Sequence, residues 1–190
     1  KLPDSVTYIG NYAFANCSSL ETVELGDKIT SMGEYVFYDC DVLTNVTIAK
    51  GTTDLGRYIF EYCEKLETLI IGENLKSLGS EAFRGCKRLS SLDLPETVKK
   101  IGDSAFRDCI GLTSVTVAND EIEIGERAFE NCATLSSISL PSGMAEIYGG
   151  VFNSCKSLED IHLPEGLTII GESSLADCVK LKRIEVPVGV

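Results

Sequence analysis

Eight cysteines stand at positions 17, 40, 63, 86, 109, 132, 155 and 178, and every interval between them is 23 residues. One structural unit is therefore repeated eight times, and the fold is decided by how that unit stacks on its own copies. The same period holds Leu20, Leu43, Leu66, Leu89, Leu112, Leu135, Leu158 and Leu181, and it holds all seven phenylalanines from Phe14 to Phe152, with Leu175 in the eighth place. Glycine recurs at 10, 33, 56, 79, 102, 125 and 171, with Tyr148 breaking the row, and the five prolines share one further register.

Within one unit, Leu20-Glu21-Thr22-Val23-Glu24-Leu25 alternates so that Val23 and Leu25 point inward while Thr22 and Glu24 point out, which is a short strand. In Gly10-Asn11-Tyr12-Ala13-Phe14-Ala15-Asn16-Cys17, apolar residues at 13, 14 and 17 fit one face of a short helix. The repeated glycine reads as a tight bend or a positive φ ahead of that helical turn. A lone unit buries too little apolar surface to offset the entropy of ordering its backbone, so the units must stack. The expected fold is an α/β repeat solenoid over residues 1–190, with a parallel sheet on one face and short helical turns on the other. At about 4.8 Å per strand, eight units extend over about 35–40 Å.

A fixed period of this length marks a leucine-rich repeat. Units such as Leu94-Pro95-Glu96-Thr97-Val98-Lys99-Lys100-Ile101-Gly102-Asp103-Ser104-Ala105-Phe106-Arg107-Asp108-Cys109-Ile110-Gly111-Leu112-Thr113-Ser114-Val115 closely resemble the BspA-like, or Treponema-type, leucine-rich repeat, and the resemblance runs through the whole chain. Proteins with this repeat are typically exported or surface-attached adhesins of host-associated bacteria, with some in protozoa. The resemblance thus implies an extracellular, cell-surface location, an extracellular protein of host or bacterium as partner, and no enzymatic role. Thr52 and Glu121 depart from the pattern at the Val6 position, and Tyr148-Gly149-Gly150 departs at the glycine triplet. Leu2 matches Leu25 and Pro187-Val188-Gly189-Val190 opens a further unit, so the chain is expected to be a fragment of a longer one, with no caps at either end.

Charge and hydropathy narrow the partners. Seventeen basic against 29 acidic residues give a net charge of −12, which repels phosphate backbones and anionic lipid headgroups and argues against nucleic acid. No run approaches the length of a membrane span, and Lys1-Leu2-Pro3-Asp4-Ser5 does not start a leader peptide, so no direct membrane insertion is expected.

Eight cysteines in an exported chain suggest disulfides, yet one per unit at a constant angular position gives a row of parallel side chains aimed at the core. Packed free thiols are the expected state, disulfides the alternative, and a metal site the least fitting, since zinc needs convergent ligands. No cofactor is expected. For catalysis the one candidate pair is Cys155 with His162, the only histidine, but the histidine faces out from the sheet while the cysteine belongs to the buried row.

Surfaces remain. The outward sheet rows carry mostly small polar residues until Asp160, His162, Arg183 and Glu185, where opposite charges fall on adjacent strands. These four are the candidate ligand-binding residues; a solvated pair of cross-strand ion pairs is the plainer reading. Tyr12, Tyr35 and Tyr58 share one register on the opposite side, with Tyr38 and Tyr62 close by, as a second docking candidate or a shield over the turns beneath. Asn16-Cys17-Ser18 and Asn45-Val46-Thr47 match glycosylation sequons but read as accidental. The function expected is a protein-binding or adhesion module; the alternative is a structural spacer that holds another domain away from the cell surface.

Overall fold

The computed structural model describes residues 2–3 and 5–190. Lys1 and Asp4, used above in reading the N-terminal stretch, lie outside them. The chain winds into a parallel-strand solenoid. One row of strands comprises Thr22–Glu24, Asn45–Thr47, Thr68–Ile70, Ser91–Leu94, Ser114–Val117, Ser137–Ser139 and Asp160–His162, each in 23-residue register with the next within groups of three and four. Residues 183–186, where an eighth strand was expected, form none, so about seven turns are complete. A second row of two-residue strands, from Tyr8–Ile9 to Ile169–Ile170, follows the first bend of each turn. That row was not foreseen, because two residues are too short to show any periodicity.

The expected helical turns are absent: among the described residues there is no helix. In their place each coil has a run of turns with two left-handed residues. Tyr12, Tyr35, Tyr58, Glu81, Ser104, Arg127, Gly150 and Ser173 form one left-handed column, and Asn16, Asp39, Tyr62, Gly85, Asp108, Asn131, Ser154 and Asp177 the other. A left-handed residue ends a right-handed helix and redirects the following peptide. Alternate N–H groups consequently bond within the coil, as Ala13 to the Gly10 carbonyl (3.3 Å), or to the next coil, as Phe14 to Val36 (2.9 Å) and Asn16 to Tyr38 (2.8 Å). The side that was expected to be helical is thus a third ladder along the solenoid axis.

The core is a stack of identical layers. Phe37, Phe60, Phe83, Phe106, Phe129 and Phe152 are almost wholly buried, and successive rings from Phe14 onward lie parallel with centroids 5.2–5.8 Å apart. The leucines at 43, 66, 89, 112, 135 and 158 are buried beside them.

Of the two roles expected for the glycine row, a tight bend or a positive φ, the second is absent, since none of its members has a positive φ. A Cβ on Gly79 would lie 2.6 Å from the Gly56 carbonyl carbon, and one on Gly102 would lie 2.6 Å from that of Gly79. Neighbouring coils touch backbone to backbone here, and only glycine leaves room. At Tyr148 the glycine row is broken, yet the close backbone approach persists, since a Cβ on Gly171 would lie 2.7 Å from the Tyr148 carbonyl carbon; the second row of strands is interrupted there and also between Ser31–Met32 and Asp54–Leu55. The other departures are absorbed locally. Thr52 is buried and its hydroxyl donates to the Ile29 carbonyl (3.1 Å), while Glu121 turns outward and Ile122 fills the core.

Candidate functional site

The thiol row is settled by hydrogen bonding. All eight cysteines are free. From Cys40 to Cys178 each sulfur donates to the carbonyl of the phenylalanine in the preceding coil, at 3.1–3.3 Å. Burial pushes the Cys109 thiol well up and that of Cys155 up to about 12, so neither forms a thiolate nucleophile at neutral pH. Cys155 is fully buried and bonded to Phe129, and His162 is exposed on the outer face of its strand. The two do not form a catalytic pair. Cys17, in the first coil, is the exception to full packing and is half-buried.

On the outer face of the first row, Thr22, Asn45, Thr68, Ser91, Ser114 and Ser137 are exposed as expected. The four candidate residues come together at its last strand. Asp160 and His162 lie opposite Ser137 and Ser139 in register. Arg183 and Glu185 lie on the irregular segment that follows, where they pair with each other rather than across to Asp160 and His162. The cross-strand pairing expected there needs a strand at 183–186. Because this segment leaves the sheet, a cleft of about 360 Å³ opens between it and the strand, lined by all four residues together with Glu165 and Pro187. Three carboxylates face one guanidinium, itself paired with Glu185, so the cleft favours cationic groups.

The opposite face carries the tyrosines. Tyr12, Tyr35 and Tyr58 stack with centroids 4.7 and 4.4 Å apart and planes within 5°. Tyr38 meets Tyr35 edge-on at 5.7 Å, and Arg84 sits over the Tyr62 ring. Burial, and then the neighbouring Tyr58 and Tyr12 hydroxyls, push Tyr35 up to about 12. Parallel stacking hides the ring faces, so the column presents edges and hydroxyls to solvent.

Beside it runs a feature that sequence reading missed, an arginine–carboxylate zipper. Arg84 contacts Glu81 at 2.7 Å, Glu61 at 3.5 Å and Asp108 at 3.7 Å; Arg107 bridges Asp108 (3.7 Å) and Glu130 (3.2 Å); Arg127 reaches Glu130 at 4.0 Å. Its signal was available, because Glu61, Arg84, Arg107 and Glu130 occupy the same 23-spaced position as Tyr38.

The family model of the BspA type leucine rich repeat region (6 copies) matches residues 1–93 and again 76–190. Among solved structures, the chain is similar to the leucine-rich repeat protein of T. pallidum at 26% identity and a TM-score of 0.84, over 92% of this chain and 82% of that one. A leucine-rich repeat protein from Bacteroides ovatus shares 31% identity with a TM-score of 0.91 over 97% of this chain and 48% of its own, so the chain spans about half the length of that relative. A Faecalibacterium prausnitzii protein described as a leucine rich cell surface protein shares 25% identity, with a TM-score of 0.63 over 97% of this chain and 72% of that one. Comparison with proteins of curated function finds no match.

Proposed function

The chain belongs to the BspA-type leucine-rich repeat family, and on that premise we propose that it is a protein-recognition or adhesion module of an exported bacterial surface protein. The observation that carries this reading is the cleft at the last strand, where Asp160, His162, Arg183 and Glu185 converge on an otherwise small-residue sheet. Solenoids of stacked repeats bind through extended faces of this kind, to which neighbouring coils contribute side chains at fixed spacing. The cleft's excess of carboxylates suits a partner protein that presents lysine or arginine, and its flanking Pro187 and Val188 supply apolar contact. A surface location is supported by the description of the Faecalibacterium relative as a cell surface protein. Among the described residues no helix is long and apolar enough to cross a membrane.

A second reading, a structural spacer, is favoured by the small polar side chains along most of the sheet, which offer a partner little to hold. The experiment that separates the two is a binding screen of the purified chain against purified extracellular matrix and bacterial surface proteins. The recognition reading expects saturable binding that weakens with added salt. Absence of binding across both groups overturns it in favour of the spacer.

A further inference from the structure

Among the described residues Glu61 is the only charged side chain that is buried, with 5% of its surface exposed. A carboxylate removed from water ordinarily takes hydrogen bonds from several donors. Among the described residues no group donates a hydrogen bond to the Glu61 carboxylate, which keeps only a narrow contact with solvent. Its one cationic neighbour, Arg84, approaches to 3.5 Å, too far for a hydrogen bond, because the guanidinium is drawn at 2.7 Å to Glu81. Two carboxylates on adjacent coils thus compete for one arginine, and the more exposed of them holds it.

The remaining titratable groups around Glu61 do not relieve this. Tyr35 and Tyr38 approach from the preceding coil, Glu81 and Arg84 from the following one, and the thiol of Cys86 from the core below. Apart from Arg84, each is either neutral or negative at neutral pH. The position is also a junction: on one side is the stacked tyrosine column, on the other the arginine–carboxylate zipper.

We propose that Glu61 is a proton-binding switch on the turn face, whose charge decides whether one carboxylate or two compete for Arg84. In the protonated form the repulsion between Glu61 and Glu81 is gone and Arg84 is left to Glu81 and Asp108. Burial, then Glu81, raise the carboxyl to about 7 against the opposing pull of Arg84, so the change falls within a range that surface environments cross.

The test uses the seven tyrosines as reporters, in a chain with no tryptophan to mask them. A neighbouring carboxylate quenches tyrosine emission, so emission from the intact chain should rise as pH falls from 8 to 5, with a midpoint near 7. The carbon-13 shift of the Glu61 carboxyl, followed over the same range, should give the same midpoint. Glu61→Gln should remove the emission step. Glu81→Gln, which leaves Glu61 in place, should move the midpoint down, which keeps the test valid if the first variant folds poorly. His162→Gln should change nothing, as that histidine lies on the opposite sheet. A Glu61 midpoint below pH 5, a step that survives Glu61→Gln, or a step lost in His162→Gln would each overturn the proposal.

Discussion

The Cys109 sulfur donates to the carbonyl oxygen of Phe83, 3.1 Å away in the preceding coil, and that same oxygen accepts the backbone N–H of Cys86 at 3.1 Å. The phenylalanine carbonyl is thereby bonded twice, once within its own coil and once across to the next. The thiol bond recurs seven times, and six of the seven phenylalanine carbonyls, all but that of Phe37, also accept the cysteine N–H of their own coil; this explains the residue at this position, which must be small, apolar enough to bury, and able to donate.

Cys109→Ser keeps a donor in place, so its cost is set by the shorter reach of the hydroxyl and its greater desolvation. A loss of about 1 kcal/mol is expected in urea unfolding. Cys109→Asp, which places a charge in the fully buried slot, should prevent folding of the surrounding coils.

Thiol accessibility should divide the row one against seven. Cys17 is half-buried, and the other seven are buried and bonded to carbonyls. A thiol reagent added to the native chain should label one group quickly and the remainder only after denaturation, when all eight react. Fewer than eight after denaturation without reductant would show disulfides.

Gly79 and Gly166 should respond oppositely to alanine. The added methyl at Gly79 meets backbone atoms of Gly56 and Arg57 at 2.6–2.8 Å, whereas at Gly166 nothing lies within 4 Å. Gly79→Ala is expected to cost about 2–3 kcal/mol through forced separation of two coils. Gly166→Ala should stay within about 0.5 kcal/mol of the parent, as surface changes do. Melting temperatures of the two variants decide the point.

Stability should also carry the signature of Glu61. Its carboxyl is raised in the folded chain from an ordinary 4.5 to about 7, so the folded state holds the proton more tightly than the unfolded one. The associated stability is complete below about pH 4.5 and is lost as pH rises through 7. After allowance for solvent screening, the parent should lose about 1–2 kcal/mol more than Glu61→Gln between pH 5 and pH 8. Urea unfolding at the two pH values measures the difference.

Much of the fold was legible because its strongest signals sit at core positions, where one residue type is tolerated. The registers of Cys40, Phe37 and Leu43 alone define the stack and the inward face. The turn ladder was not legible, because Ala13, Phe14 and Cys17 fit a helical face as well as they fit a run of turns. The discriminating signal was at position 16 and its repeats, where Asn16, Asp39, Gly85, Asp108, Asn131 and Asp177 are residue types that accept a left-handed backbone. Tyr12, Tyr35 and Arg127 concealed the companion column, since side chains of that size rarely adopt that conformation. At the candidate site, the grouping of Asp160 with His162 followed from strand alternation. The pairing of Arg183 with Glu185 did not, because it arises where the strand pattern of 183–186 fails to produce a strand.

The recognition account rests most directly on the cleft, and one affinity comparison tests it. The chain and a variant with Asp160, His162, Arg183 and Glu185 all changed to serine should be titrated against the same extracellular protein partner by calorimetry, with melting temperatures checked for both. Loss of at least tenfold in affinity with an unchanged melting temperature is the predicted result, equivalent to about 1.4 kcal/mol or more. Equal affinity for the two proteins would contradict the assignment of this cleft as the binding surface.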